Sequence, residues 1–90
     1  MSREFFKKIS DMVYVLLLRG INVGGKNKVI MSELKKKLLD EGFEKVDSYI
    51  NSGNLFFSSA LSPENCISKI AQLLDRNYDF SIPFAVISRE

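Results

Sequence analysis

Six consecutive apolar residues, Val13 to Leu18 (VYVLLL), constrain this chain more than any other feature, because a glycine-bearing segment follows them at once. The run is β-branched, aromatic and aliphatic, and too short for a helix. It predicts a strand buried on both faces, in the interior of a sheet. The next ten residues, Arg19 to Lys28 (RGINVGGKNK), hold three of the five glycines and three positive charges. That composition belongs to a loop with special backbone requirements, not to the opening of a helix.

The rest of the chain supplies partners for such a strand. Ser32 as N-cap, Glu33 in the first turn and Gly42 as a stop predict a helix from about Glu33 to Glu41, with Leu34, Leu38 and Leu39 on one face. Val46 to Asn51 and Leu55 to Ser58 are rich in β-formers and flank Ser52-Gly53-Asn54, so two strands joined by a short turn are expected. Ser62-Pro63-Glu64 combines a cap, a proline at the first helical position and an early acid. The second helix is expected to run from there to about Arg76, with Ile67, Ile70, Ala71, Leu73 and Leu74 at helical spacing. Ile82 to Ser88 closes as a last strand, Pro83 near its start, where a missing N–H is tolerated. The order βαββαβ predicts an α+β fold of the ferredoxin-like plait type, with a four-stranded antiparallel sheet and two helices on one face.

Ninety residues at 46% hydrophobic and 27% charged suit one ordinary globular unit. The expected division is an N-terminal extension over 1–11, with Phe5, Phe6 and Ile9 at roughly helical spacing, and a single domain over 12–90. The lone cysteine, Cys66, forms no internal disulfide, and the longest apolar run is far too short to span a bilayer. A reducing, cytoplasmic setting without membrane attachment is the expectation. Histidine is absent, which removes the common transition-metal ligand sets, so neither metal nor cofactor is expected. The net charge of +2 conceals a gradient: residues 1–37 carry nine basic and three acidic residues, residues 38–90 four and eight. Such a dipole could steer an anionic partner toward the basic end.

The residues also carry a resemblance. Tyr14 to Lys28, with its RGINVGG loop, then Met31-Ser32-Glu33-Leu34, Gly42-Phe43 and Tyr49-Ile50-Asn51-Ser52-Gly53-Asn54-Leu55, together resemble a bacterial family known only as a domain of unknown function, DUF1697. The likeness spans about residues 12–88. It implies an α+β protein of about twice this length, of which this chain corresponds to the N-terminal half, and it brings no catalytic assignment.

The candidate site is the basic glycine-rich loop, with Arg19, Asn22, Gly24, Gly25, Lys26 and Lys28 as residues able to hold an anion through cations and exposed N–H groups. The match to a Walker loop is partial. Gly20 and Gly25 have the required separation and Lys26 follows, but Asn27 replaces the hydroxyl residue and the helix begins several positions later. Asn51, Ser52, Gly53 and Asn54 form a secondary polar turn whose groups equally serve turn backbones. Ser52 has no histidine to activate it as a nucleophile. Tyr49, Phe56 and Phe57 suggest the base-stacking aromatics of RNA-binding plaits, yet the accompanying signature is absent. The Lys35 to Lys37 run reads as a solvated face, and Cys66 as a packing residue.

The leading reading is therefore a non-enzymatic module that binds an anion or a partner through loop 19–28 and assembles with a second copy or a C-terminal half. Two alternatives stand beside it. One is half of an enzyme site, with Arg19 and Asn22 orienting a substrate. The other is a weak nucleic-acid binder.

Overall fold

A computed structural model of the protein describes residues 12–48 and 53–89. The elements are β1 (Met12–Leu18), α1 (Met31–Asp40), β2 (Glu44–Ser48), β3 (Asn54–Ser59), α2 (Pro63–Asn77) and β4 (Phe84–Arg89). The strands form one antiparallel sheet in the order β2-β3-β1-β4. The expected α+β plait is present and β1 is interior to it. The extension over 1–11, Tyr49, Asn51 and Ser52 lie outside the described residues.

Antiparallel pairing sets which side chains share a face. Tyr14, Leu16 and Leu18 of β1 stand opposite Phe57, Leu55 and the start of β4, and all three are buried. Leu34 and Leu38 of α1 and Cys66, Ile70, Leu73 and Leu74 of α2 close over that face. Phe57 stacks on Tyr14 with ring centroids 5.2 Å apart and meets Phe43 edge-on at 4.8 Å. The Tyr14 hydroxyl donates to the Leu61 carbonyl at 2.7 Å, so the phenol is buried with its polar atom satisfied.

One expectation about β1 needs correction. Val13, Val15 and Leu17 point away from the helices, and their burial runs from partial to 42% exposed at Val13. The continuous apolar run places the strand in the interior of the sheet, but the described residues cover only one of its faces. Phe56 and Ile87 share this open side by register, the latter 51% exposed.

Several boundaries also move. Helix α1 starts two residues early, at Met31. Ile30 takes the cap position in extended backbone, without a side-chain cap, and Ser32 is already helical. Glu33 and Leu34 both donate to the Ile30 carbonyl, so the helix is initiated there. Leu39 turns outward at 45% exposed, and Ile67 of α2 at 41%, while Cys66 takes the buried position. The Ser62 cap stands as expected, its hydroxyl accepting from the Asn65 N–H at 3.2 Å. Strand β2 begins at Glu44, with an irregularity between Glu44 and Asp47 at which Lys45 takes φ +51. Strand β4 begins at Phe84, and Ile82 is buried in the segment before it, whose other residues are exposed or half-buried.

Burial also sets a pH dependence. It pushes the Cys66 thiol above its ordinary value of 9.0 and the Tyr14 phenol above 10.0, favouring the neutral form of each in the folded state. Both groups therefore contribute stability that is intact below their unfolded values and is lost as the pH rises through the raised folded ones. The midpoint of urea unfolding should be flat from pH 6 to 8 with respect to these groups and fall steadily above about pH 9. Cys66→Ala should weaken the early part of that fall.

Candidate functional site

The loop between β1 and α1 is built from its asparagines. Gly24 and Gly25 have φ of +57 and +77, and Lys26 N–H donates back to the Val23 carbonyl at 2.9 Å. Positive φ at both central positions is the turn that matches strand twist in a tight hairpin, and glycine adopts it without steric cost. Below the turn, Asn22 N–H donates to the Asn27 carbonyl at 3.0 Å, and the Asn27 amide donates to the Gly20 carbonyl at 3.1 Å. The Asn22 side chain then grips the base of the loop: its amide nitrogen donates to the Val29 carbonyl at 3.0 Å, and its oxygen accepts from Val29 N–H at 2.8 Å. Both asparagines sit at φ +55, the left-handed region that asparagine tolerates better than most residues.

The loop is thus a small closed structure, and its charges face outward. Arg19, Lys26 and Lys28 are exposed, and none has an ion-pair or hydrogen-bond partner for its side chain among the described residues. Of the residues expected to meet a ligand, Asn22 has both its amide nitrogen and its amide oxygen bonded to Val29. Its role here is to shape the loop. Beneath it lies a shallow open depression of about 660 Å³ lined by Asn22, Val29, Ile30, Met31 and Ser32. The first N–H groups of α1, those of Met31 and Ser32, have no acceptor among the described residues.

The secondary turn proves to be a neighbour of this loop. Leu18 N–H donates to the Gly53 carbonyl at 3.0 Å, so the start of β3 abuts the root of the glycine-rich segment. Gly53 has φ +80, and a Cβ there would lie 3.3 Å from the Leu18 carbonyl oxygen. The segment before β4 closes the other side, where Arg19 N–H donates to the Pro83 carbonyl at 3.0 Å. Three connections therefore meet at the C-terminal end of β1. Sequence reasoning treated the two polar motifs separately and did not single out Asn27. Two asparagines among glycines were the signal available, but the sequence does not show that their side-chain bonds run seven residues across the loop, in opposite directions.

Chemistry elsewhere is taken up by the fold. A cleft of about 270 Å³ at the other end of the sheet includes Glu41, Phe43, Glu44 and Lys69. There Lys69 donates to the Glu41 carbonyl at 2.8 Å and stands 5.9 Å over the Phe43 ring, while Arg76 pairs with the Glu41 carboxylate. The Lys35 to Lys37 run is not uniformly solvated, since Lys35 is half-buried and lies 3.7 Å from Asp47. Phe57, one of the three aromatics considered for base stacking, is core, and Phe56 lies on the open face.

The protein is by class an α+β plait with a closed basic loop at the end of its interior strand β1. The chain belongs to the family described as protein of unknown function DUF1697, whose model matches residues 12–90. It is similar to a solved structure, the conserved bacterial protein SP0830 from Streptococcus pneumoniae, at 49% identity and a TM-score of 0.81, over 87% of this chain and 43% of that one. The chain thus spans less than half of that neighbour's length. A comparison with curated proteins gave no match. Among the described residues, no helix is long and apolar enough to cross a membrane.

Proposed function

We propose that the protein is a binding and assembly module, without catalysis of its own, in which loop Arg19–Lys28 engages a small anion or the anionic patch of a partner. One observation carries this reading: three cations without side-chain partners among the described residues are mounted on a loop whose backbone is already held by its own asparagines. A pre-ordered site avoids the cost of ordering a flexible segment on binding. Two helix-start N–H groups in the adjoining depression add donors of the kind anions favour. In this reading the chain is the N-terminal half of a family-length architecture, preceded by an extension over 1–11. Its lone buried thiol suits a reducing cytoplasm.

The test is a two-dimensional NMR titration with inorganic phosphate and with pyrophosphate. The amides of Gly24, Gly25, Met31 and Ser32 should shift together and saturate. The double substitution Lys26→Gln and Lys28→Gln should weaken binding roughly tenfold, about 1.4 kcal/mol, with unchanged unfolding midpoint because both side chains are exposed. Shifts that are absent, or indifferent to the double substitution, would remove the loop as an anion site.

A further inference from the structure

The two edges of the sheet are treated differently. The β2 edge carries Glu44, Lys45 and Asp47 and is distorted by the irregularity at Lys45, the devices that keep strand edges from pairing. The β4 edge has no irregularity, and its one charged residue is Arg89 at the very end. Residues 84–88 (FAVIS) hold no charge and no proline, and their register with β1 is unbroken from Phe84 to Arg89.

The phase of that edge follows from one bond. Arg19 N–H donates to the Pro83 carbonyl, and hydrogen-bonded and non-bonded pairs alternate along an antiparallel ladder. Ala85 and Ile87 therefore turn their backbone groups toward β1. Phe84, Val86 and Ser88 turn theirs to the outside, where no described residue accepts or donates. The side chains are apolar on both faces: Phe84 and Val86 are half-buried on the helix side, and Ile87 is 51% exposed on the open side. A groove of about 140 Å³ lined in part by Ala71, Phe80 and Phe84 runs beside the strand on the helix side.

We propose that β4 is a self-pairing edge through which two copies of this chain join antiparallel about a two-fold axis at Val86, forming one eight-stranded sheet. The strand is its own complement. Centring on Val86 places Phe84 against Ser88 of the second copy and Val86 against Val86, so every outward backbone group from 84 to 88 meets a partner. A shift by one residue would set helix-side positions against open-side positions, and a shift by two would leave fewer pairs within 84–88. No like charges meet over these residues. This deepens the assembly half of the proposed function and does not depend on anion binding, which the phosphate titration reads separately.

A single strand pair buries less than the roughly 800 Å² per partner of a standard interface, so a dissociation constant on the order of 10⁻⁵ M is expected. Sedimentation equilibrium between 5 and 500 µM (about two decades around that value) should show monomer and dimer. Val86→Pro removes an outward N–H that β1 does not use, and Ile87→Lys places a charge on the edge. Each should weaken dimerisation at least about tenfold, with circular dichroism unchanged. Register is read by oxidative cross-linking, because Ala85 faces Ile87 of the second copy. A mixture of Ala85→Cys and Ile87→Cys chains should yield the mixed disulfide dimer, and either population alone should not. A monomer throughout the range, a dimer indifferent to both substitutions, or equal linking in the unmixed populations would overturn the proposal. Pairing of β4 only with polypeptide from the longer family architecture would appear as the monomer result.

Discussion

Replacing Phe57 with alanine should cost about 3 to 5 kcal/mol and leave the protein largely unfolded at 37 °C. A large-to-small change at a buried aromatic loses transfer free energy and leaves a cavity. Phe57 is 1% exposed and sits between Tyr14 and Phe43, so the void would open where the sheet meets the end of the first helix. Total stabilities of single domains are about 5 to 15 kcal/mol, and a small domain lies toward the lower end. The measurement is urea unfolding followed by circular dichroism, with the next residue as control. Phe56 is on the open face and half-buried, so Phe56→Ala should cost clearly less. Equal costs would mean that the open face is covered as fully as the helix face. That outcome would contradict the exposure of Val13 and Ile87.

That contrast between neighbours shows what was legible in the sequence. The helical spacing of Leu34 and Leu38 or of Ile70, Leu73 and Leu74 reports burial directly, since a single face of each helix must meet the core, whereas Leu55-Phe56-Phe57 is apolar throughout and does not say which neighbour is buried. The interior place of β1 was readable from VYVLLL, because an unbroken apolar run suits a strand flanked on both edges. What could not be read is why Val15 and Leu17 are apolar, because hydrophobicity does not say whether the covering layer is in the same chain. The start of α1 was misplaced because Ser32 satisfies the residue preference for a cap, whereas Asn22, seven positions before Val29, holds the backbone so that Ile30 takes that place. Local preference lost to a long loop bond. The meeting of the Gly53 turn with loop 19–28 was hidden in the same way, since it depends on strand order and on the Leu18 to Gly53 hydrogen bond.

Asn22 separates two accounts of the candidate site, charge alone or charge on a shaped loop. Its side chain makes two hydrogen bonds to Val29 and its backbone sits at φ +55. Asn22→Gly removes the side-chain bonds while permitting the backbone conformation, and Asn22→Ala removes the bonds and strains the backbone as well. With a net value of about 0.5 to 1.5 kcal/mol per hydrogen bond, the glycine variant should lose about 1 to 3 kcal/mol of stability and the alanine variant about 1 kcal/mol more. Neither changes the charge of the protein. If the loop binds phosphate because it is already ordered, both variants should lose affinity several-fold while Arg19, Lys26 and Lys28 remain. Their amide signals at Gly24 and Gly25 should also broaden or move toward random-coil positions before any ligand is added. If affinity survives while the loop signals show it released, the cations act as a diffuse basic patch whose binding falls steeply with salt. The closed geometry would then serve only to start α1 at Met31.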